Sequence, residues 1–157
     1  MGLSTFDYVI KLMDVAAESL SISYTRQTNT TLQNWCRYNT GKFVANVSMT
    51  ESRTPINNGL DNVTFTVSLY FVVSRNDNLT PEEKTIEEGE ARRLASSFIY
   101  LLKRNKFCVV QNNGFDLIFR QGGYLGAGVA GQISITLADK DDNCDLFCNY
   151  MTKDIEC

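Results

Sequence analysis

Gly126-Ala127-Gly128-Val129-Ala130-Gly131-Gln132-Ile133-Ser134-Ile135-Thr136-Leu137 is the stretch that decides the fold class. Its first half spells G-x-G-x-x-G, the fingerprint of a dinucleotide-binding turn. Such a turn must follow a strand and open a helix, whose N-terminus holds the pyrophosphate. Phe115 to Phe119 supplies a plausible strand before it. After Gly131, however, apolar residues alternate with period two and place Ile133, Ile135 and Leu137 on one face. A strand therefore stands where the helix is needed, and no βαβ unit surrounds it. The stretch Gln121 to Gly131 reads instead as a long β-hairpin connection. In it, Gly122, Gly123, Gly126, Gly128 and Gly131 permit unusual backbone angles. A loop of this length is a functional candidate. Tyr124, Leu125 and Val129 give it apolar content suited to a neighbouring subunit or to a pore lining.

Upstream, the chain alternates between helix and strand signals. Ser4 to Ser21 reads as a helix capped by Ser4 with Asp7 three residues on, and Phe6, Val9, Ile10, Met13, Ala16, Ala17 and Leu20 form its apolar stripe. Ser23 to Lys42 is polar and reads as a loop with one short strand. Phe43 to Met49 alternates as a strand with one core face. Thr50 to Asn62 carries turn chemistry, Thr54-Pro55 and Asn57-Asn58-Gly59. Val63 to Arg75 is a long strand with Val63, Phe65, Val67, Leu69, Phe71 and Val73 inward, and pairs with 43–49 across an exposed loop.

Thr80-Pro81 followed by Glu83 announces a second helix, reaching about Asn105. Its acidic start and basic later turns suit the helix dipole. Ile86, Leu94, Ala95, Phe98, Leu101 and Leu102 form the expected buried face. Phe107 to Val110, a turn at Asn112-Asn113-Gly114, and Phe115 to Arg120 complete the approach to the glycine stretch. The order predicts an α+β fold: a mainly antiparallel sheet covered on one face by two helices, with long hairpin loops. Residues 1–138 form one domain and 139–157 a C-terminal arm.

Composition narrows the function classes. The chain has 157 residues, 43% hydrophobic and 21% charged, with a net charge of -3. No Lys/Arg block marks a nucleic-acid face. No apolar run approaches the ~18 residues of a membrane helix. Asp7, Lys11 and Asp14 interrupt the N-terminal apolar residues, so no signal peptide is expected and the chain reads as cytosolic at synthesis. Sequons at Asn29, Asn46, Asn62 and Asn78 are then polar composition, and Cys36, Cys108, Cys144, Cys148 and Cys157 are expected as free thiols.

The absence of histidine excludes Ser-His-Asp and Cys-His catalysis and histidine-ligated metal. Cys144-x3-Cys148 with Cys157 and Asp145 lacks metal-ligand spacing and a completing ligand. Glu82, Glu83, Glu87 and Glu88 crowd a helix start, where the dipole explains them. Asp139, Asp141 and Asp142 lack the spacing of a calcium loop. No enzyme, cofactor or metal is expected.

Phe43–Met49, Val63–Ser74, the helix Pro81–Arg104 and Phe115–Leu137, taken in order, resemble the tail-terminator and head–tail joining proteins of tailed bacteriophages. Gly114-Phe115-Asp116-Leu117-Ile118-Phe119-Arg120 is similar to the glycine–aromatic–aspartate segment that opens that family's last hairpin. The resemblance covers most of residues 4–138; Ser23–Lys42 and the tail after Asp139 fall outside it. It implies a small α+β subunit of a homo-oligomeric ring in the neck or tail of a virion, made in the host cytoplasm. It also implies partners among neck, portal and tail proteins, a channel that DNA crosses without specific binding, and no membrane. Loops contacting neighbours or the lumen would then include Pro55, Ile56, Gly123, Tyr124, Leu125, Gly126, Gly128 and Val129. The competing expectation is a small intracellular ligand-binding module using the glycine-rich loop 121–131.

Overall fold

The computed structural model describes residues 4–38, 41–55, 61–74, 80–119 and 127–139. The elements run α1 (Thr5–Ser19), β1 (Ser23–Arg26), α2 (Asn29–Tyr38), β2 (Phe43–Pro55), β3 (Asp61–Ser74), α3 (Pro81–Lys103), β4 (Val109–Phe119) and β5 (Ala127–Asp139). The strands form one sheet in the order β1-β2-β3-β5-β4. β1 is parallel to β2, and every other neighbouring pair is antiparallel. The expected α+β class is what the chain adopts.

Helix caps set the two long helices as their sequence signals require. Ser4 Oγ accepts from Asp7 N at 3.1 Å and donates to the Asp7 carboxylate at 2.7 Å. Thr80 Oγ1 accepts from Glu83 N at 3.2 Å, with Pro81 in the first turn. The buried stripe of α1 is Tyr8, Val9, Leu12, Met13, Ala16 and Ala17. It is rotated from the expected stripe, because Phe6 stays at the rim. There Phe6 meets Phe65 edge-to-face at 6.3 Å and lies under the Arg26 guanidinium at 5.1 Å. On α3, Ala91, Ala95, Phe98, Ile99 and Leu102 are buried, while Ile86 is 65% exposed.

Both helices pack on the sheet face that carries Val63, Phe65, Val67, Leu69, Phe71, Ile133, Ile135 and Leu137, all buried. Phe71 and Phe98 meet as an edge-to-face pair at 5.3 Å, a geometry worth about 1 kcal/mol beyond area burial. The α3–β4 turn is tied to α1 by Asn105, which is 3% exposed. Its Nδ2 donates to Tyr8 Oη at 2.6 Å and its Oδ1 accepts from Phe107 N at 2.9 Å.

Three expectations are corrected. The polar stretch Ser23–Lys42 holds a third helix, so helices are not confined to one face. Thr28 and Thr31 exchange backbone-to-hydroxyl bonds at 2.9 and 3.1 Å, a capping box that starts α2. Leu32 of α2 packs with Phe43, Ala45 and Val72 on the sheet face opposite α1 and α3. Next, Thr50–Pro55 is not a loop but the continuation of β2, paired as far as Pro55↔Asp61. Finally, Asn112-Asn113-Gly114 does not turn the chain. β4 runs straight through it with one extra residue against β5, between the pairs Asn112↔Ile133 and Phe115↔Gly131. Gly114 at φ 101° absorbs this bulge, and its N–H is accepted by Asn112 Oδ1 at 2.8 Å. The turn chemistry was real, but it serves a bulge.

Candidate functional site

The glycine motif has a packing role in its second half. Gly128 and Gly131 lie in β5, opposite Val72 and Leu69 of β3. A Cβ on Gly128 would meet Phe71 O at 2.0 Å, and one on Gly131 would meet Gly114 O at 2.0 Å. Both neighbours are backbone, so only glycine lets β5 pass this closely. β5 continues to Asp139 without opening a helix, and a pyrophosphate cradle is not formed there. Val129 is 0% exposed within the subunit. Gly128 and Val129 are therefore buried strand residues of β5 and not part of a loop. Pro55 ends β2 and is exposed. Ile56, Gly123, Tyr124, Leu125 and Gly126 lie outside the described residues, as do the arm residues 140–157 with their three cysteines.

The uncovered surfaces sit at one end of the sheet. Beyond the bulge at Val47, β2 pairs Ser48, Thr50, Ser52 and Thr54 with Ser68, Thr66, Thr64 and Asn62 of β3. β5 adds Gln132, Ser134 and Thr136 to the same rows. The result is an uncharged hydroxyl and amide face on the side away from α1 and α3. Thr64 and Thr136 share a hydroxyl bond at 2.9 Å, and Gln132 donates to Ser68 Oγ at 3.3 Å. Asn113 of the bulge donates to Ser134 Oγ at 3.2 Å.

β3 is central in the sheet and paired on both sides. The true edges are β1 with β2 on one side and β4 on the other. β1 covers β2 only from Phe43 to Asn46. Among the described residues, no strand lies along the outer edge of β2 beyond Asn46. On β4, Arg92 of α3 reaches the bulge and donates to Phe115 O at 3.1 Å.

Where β1 ends and the bare edge begins there is a cleft of about 390 Å³, lined by Arg26, Gln27, Thr28, Thr31, Asn46 and Met49 among others. Asn46, 3% exposed, donates to Tyr24 Oη at 3.2 Å. Burial raises the Tyr24 phenol, and the Asn46 hydrogen bond offsets part of that rise. Further along β2, Arg53 pairs with Glu51 at 3.5 Å and with Asp61 at 3.9 Å. These groups are nearly half exposed, where such pairs contribute little to stability.

Two acidic groups of α3 have ion-pair partners: Glu88 holds Arg92 at 2.9 Å, and Glu90 pairs with Lys42. Cys108 is buried, which pushes its thiol up to about 12 and keeps it neutral. Among the described residues, no three metal-ligating side chains converge. No helix there is long and apolar enough to cross a membrane.

Sequence reasoning missed α2 and the outer half of β2. The T-x-x-T spacing ahead of Leu32 and Trp35 was the available signal for α2. For β2 the signal was Ser48, Thr50, Ser52 and Thr54 alternating with Met49, Glu51 and Arg53. No protein-family model matches this chain, and comparison with curated proteins and with solved structures gives no match either.

Proposed function

We propose that this chain is a structural virion protein of a tailed bacteriophage, a subunit of a homo-oligomeric ring in the head–tail connector or tail. The observation that carries this proposal is the placement of the two hairpins. The β2–β3 pair runs out to Pro55 and Asp61 at one end of the sheet. The β4–β5 pair runs out to Phe119 and Ala127 at the opposite end. A rigid α+β body with a hairpin at each end can touch one neighbour above it and another below it. The resemblance in element order to neck and tail ring proteins gives that geometry its role.

An uncharged hydroxyl face and a net charge of -3 also suit a channel wall, since DNA phosphates find few cations there to hold them. If residues 121–126 line that channel, Tyr124→Arg or Leu125→Arg slows DNA passage; unchanged passage removes them from the lumen. The ring itself is tested by negative-stain electron microscopy and native mass spectrometry of the reduced protein across a concentration series. Closed rings of one stoichiometry are expected. A monomer at every concentration, alone and with neck or tail partners, overturns the proposal.

A further inference from the structure

The cleft at the end of β1, with its volume of about 390 Å³, has the size of a small-ligand site. Its walls carry one cation, Arg26, and no carboxylate. We propose that it binds a carboxylate with an amide N–H beside it. That chemistry is shared by an acidic residue of a peptide and by a small N-acylated amino acid.

The fold leaves polar groups of this wall without partners. Arg26, the last residue of β1, stands opposite Asn46 of β2. Its guanidinium lies over the Phe6 ring at 5.1 Å, and its side chain makes no hydrogen bond or ion pair among the described residues. Asn46 is 3% exposed. Its Nδ2 donates to Tyr24 Oη at 3.2 Å and lies 3.8 Å from Met49 Sδ. A thioether accepts and does not donate, which sets the amide nitrogen on that side and the carbonyl on the other. Asn46 Oδ1 accepts no hydrogen bond among the described residues. A buried acceptor in that state calls for a donor from outside the fold. Gln27 repeats the pattern: its Nε2 donates to Thr25 Oγ1 at 2.8 Å, and its Oε1 accepts nothing among the described residues.

These groups meet for a local reason. Asn46 O accepts from Gln27 N at 3.1 Å, carrying the β1–β2 ladder one residue past Arg26. β2 then bulges between Asn46 and Ser48, while the chain after β1 turns into α2. The cleft is the gap between them. Thr28 and Thr31 spend their hydroxyls on each other's N–H groups, so the start of α2 adds a polar wall and not the main partner of a ligand. One arginine offers a single charge on a planar fork of donors, which matches a carboxylate. A phosphate dianion would keep one charge uncompensated, since no lysine or second arginine lines the cleft. The two amide carbonyls ask for N–H donors. An amide N–H suits them better than an ammonium, whose charge would be desolvated with no anion beside it. The site goes beyond the ring reading and does not rest on it.

Nuclear magnetic resonance titration of the full chain in reducing buffer tests the site, read at the amides of Gln27, Thr28, Asn46 and Ser48. The probes are N-acetylglycine and the peptide acetyl-Gly-Asp-Gly-amide. At least one should shift those amides saturably, and the tighter of the two assigns the source as small molecule or peptide. N-acetylglycinamide, and the peptide with Asn in place of Asp, should cause no saturable shift. N-acetylsarcosine, which lacks the N–H, should bind several-fold more weakly than N-acetylglycine. Arg26→Gln should weaken the better probe about tenfold or more, through loss of a charge-assisted hydrogen bond. Arg93→Gln on α3 should leave it unchanged. Both arginines are exposed, so both variants should fold, with circular dichroism as the control. No saturable shift from either probe up to about 10 mM, an equal response to the neutral analogues, or wild-type affinity in Arg26→Gln overturns the proposal. Closed rings whose cleft takes neither probe would sink the site and leave the virion role standing. A saturable cleft on a chain that forms no ring would do the reverse.

Discussion

The same two strands are covered at one end of the molecule and bare at the other. From Phe43 to Asn46, β2 is buried on both faces. α1 and α3 lie over one face, α2 over the other, and β1 along the edge. From Thr50 to Pro55 the same strand is exposed at every residue, and its partner β3 keeps only its inward face covered. One continuous hydrogen-bonded ladder therefore joins a region built for stability to one available for contact. The difference begins in the side chains, with Phe43, Val44 and Ala45 at one end and Thr50 to Thr54 at the other, and it decides what packs on the strands. Stability should respond to substitutions at the covered end, and association to substitutions at the bare end.

The largest effect is expected where β5 passes closest to its neighbours at the covered end. Gly128→Ala and Gly131→Ala each drive a Cβ into backbone, and each should cost about 3 kcal/mol or more, or prevent folding. Urea denaturation followed by circular dichroism measures it; a loss below about 1 kcal/mol would mean the close approach is not needed. Leu32→Ala comes next. Leu32 is the buried anchor of α2, and its truncation should cost about 2–5 kcal/mol. Among the described side chains of α2, Leu32 is the one that is fully buried, so helical signal should fall before the main transition. A single unchanged transition would show that α2 is held by something else.

Cys108 sharpens the comparison through pH. Its thiol, ordinarily near 9, is raised to about 12 by burial. The folded state therefore keeps a proton that the unfolded state releases. This stabilising contribution is present below pH 9, is lost progressively as pH rises through the interval, and is gone by about 12. Melting curves should fall more steeply above pH 9 in the wild type than in Cys108→Ala. Equal slopes would place the thiol in water. The smallest effect on stability belongs to the bare end: Ser52→Ala should change unfolding free energy by less than about 0.5 kcal/mol.

Much of the main layer was legible in the sequence because single residues carried unambiguous signals. Thr80-Pro81 with Glu83 named a helix start, and Val63 to Phe71 alternated without a break. Elsewhere local chemistry was compatible with two outcomes. Asn112-Asn113-Gly114 suits a hairpin and a bulge equally, and only pairing with β5 decides between them. Thr50 to Pro55 has no apolar face, so its one local strand signal is hydroxyl residues alternating with Glu51 and Arg53, beside the turn chemistry of Thr54-Pro55. The stripe of α1 rotated because Tyr8 found Asn105, a partner 97 residues away. Gly128 and Gly131 were recognised as special, yet their reason is the backbone of Phe71 and Gly114, which no neighbouring residue reveals.

Hydrogen exchange along β2, read amide by amide at low and high protein concentration, tests the contrast between its two ends most directly. The amides of Val44 to Asn46 should exchange only with global unfolding at either concentration. Between Thr50 and Thr54, the amides that pair with β3 should exchange through local opening, faster than those of Val44 to Asn46. Uniform protection along the strand would contradict the division between a covered end and an exposed one.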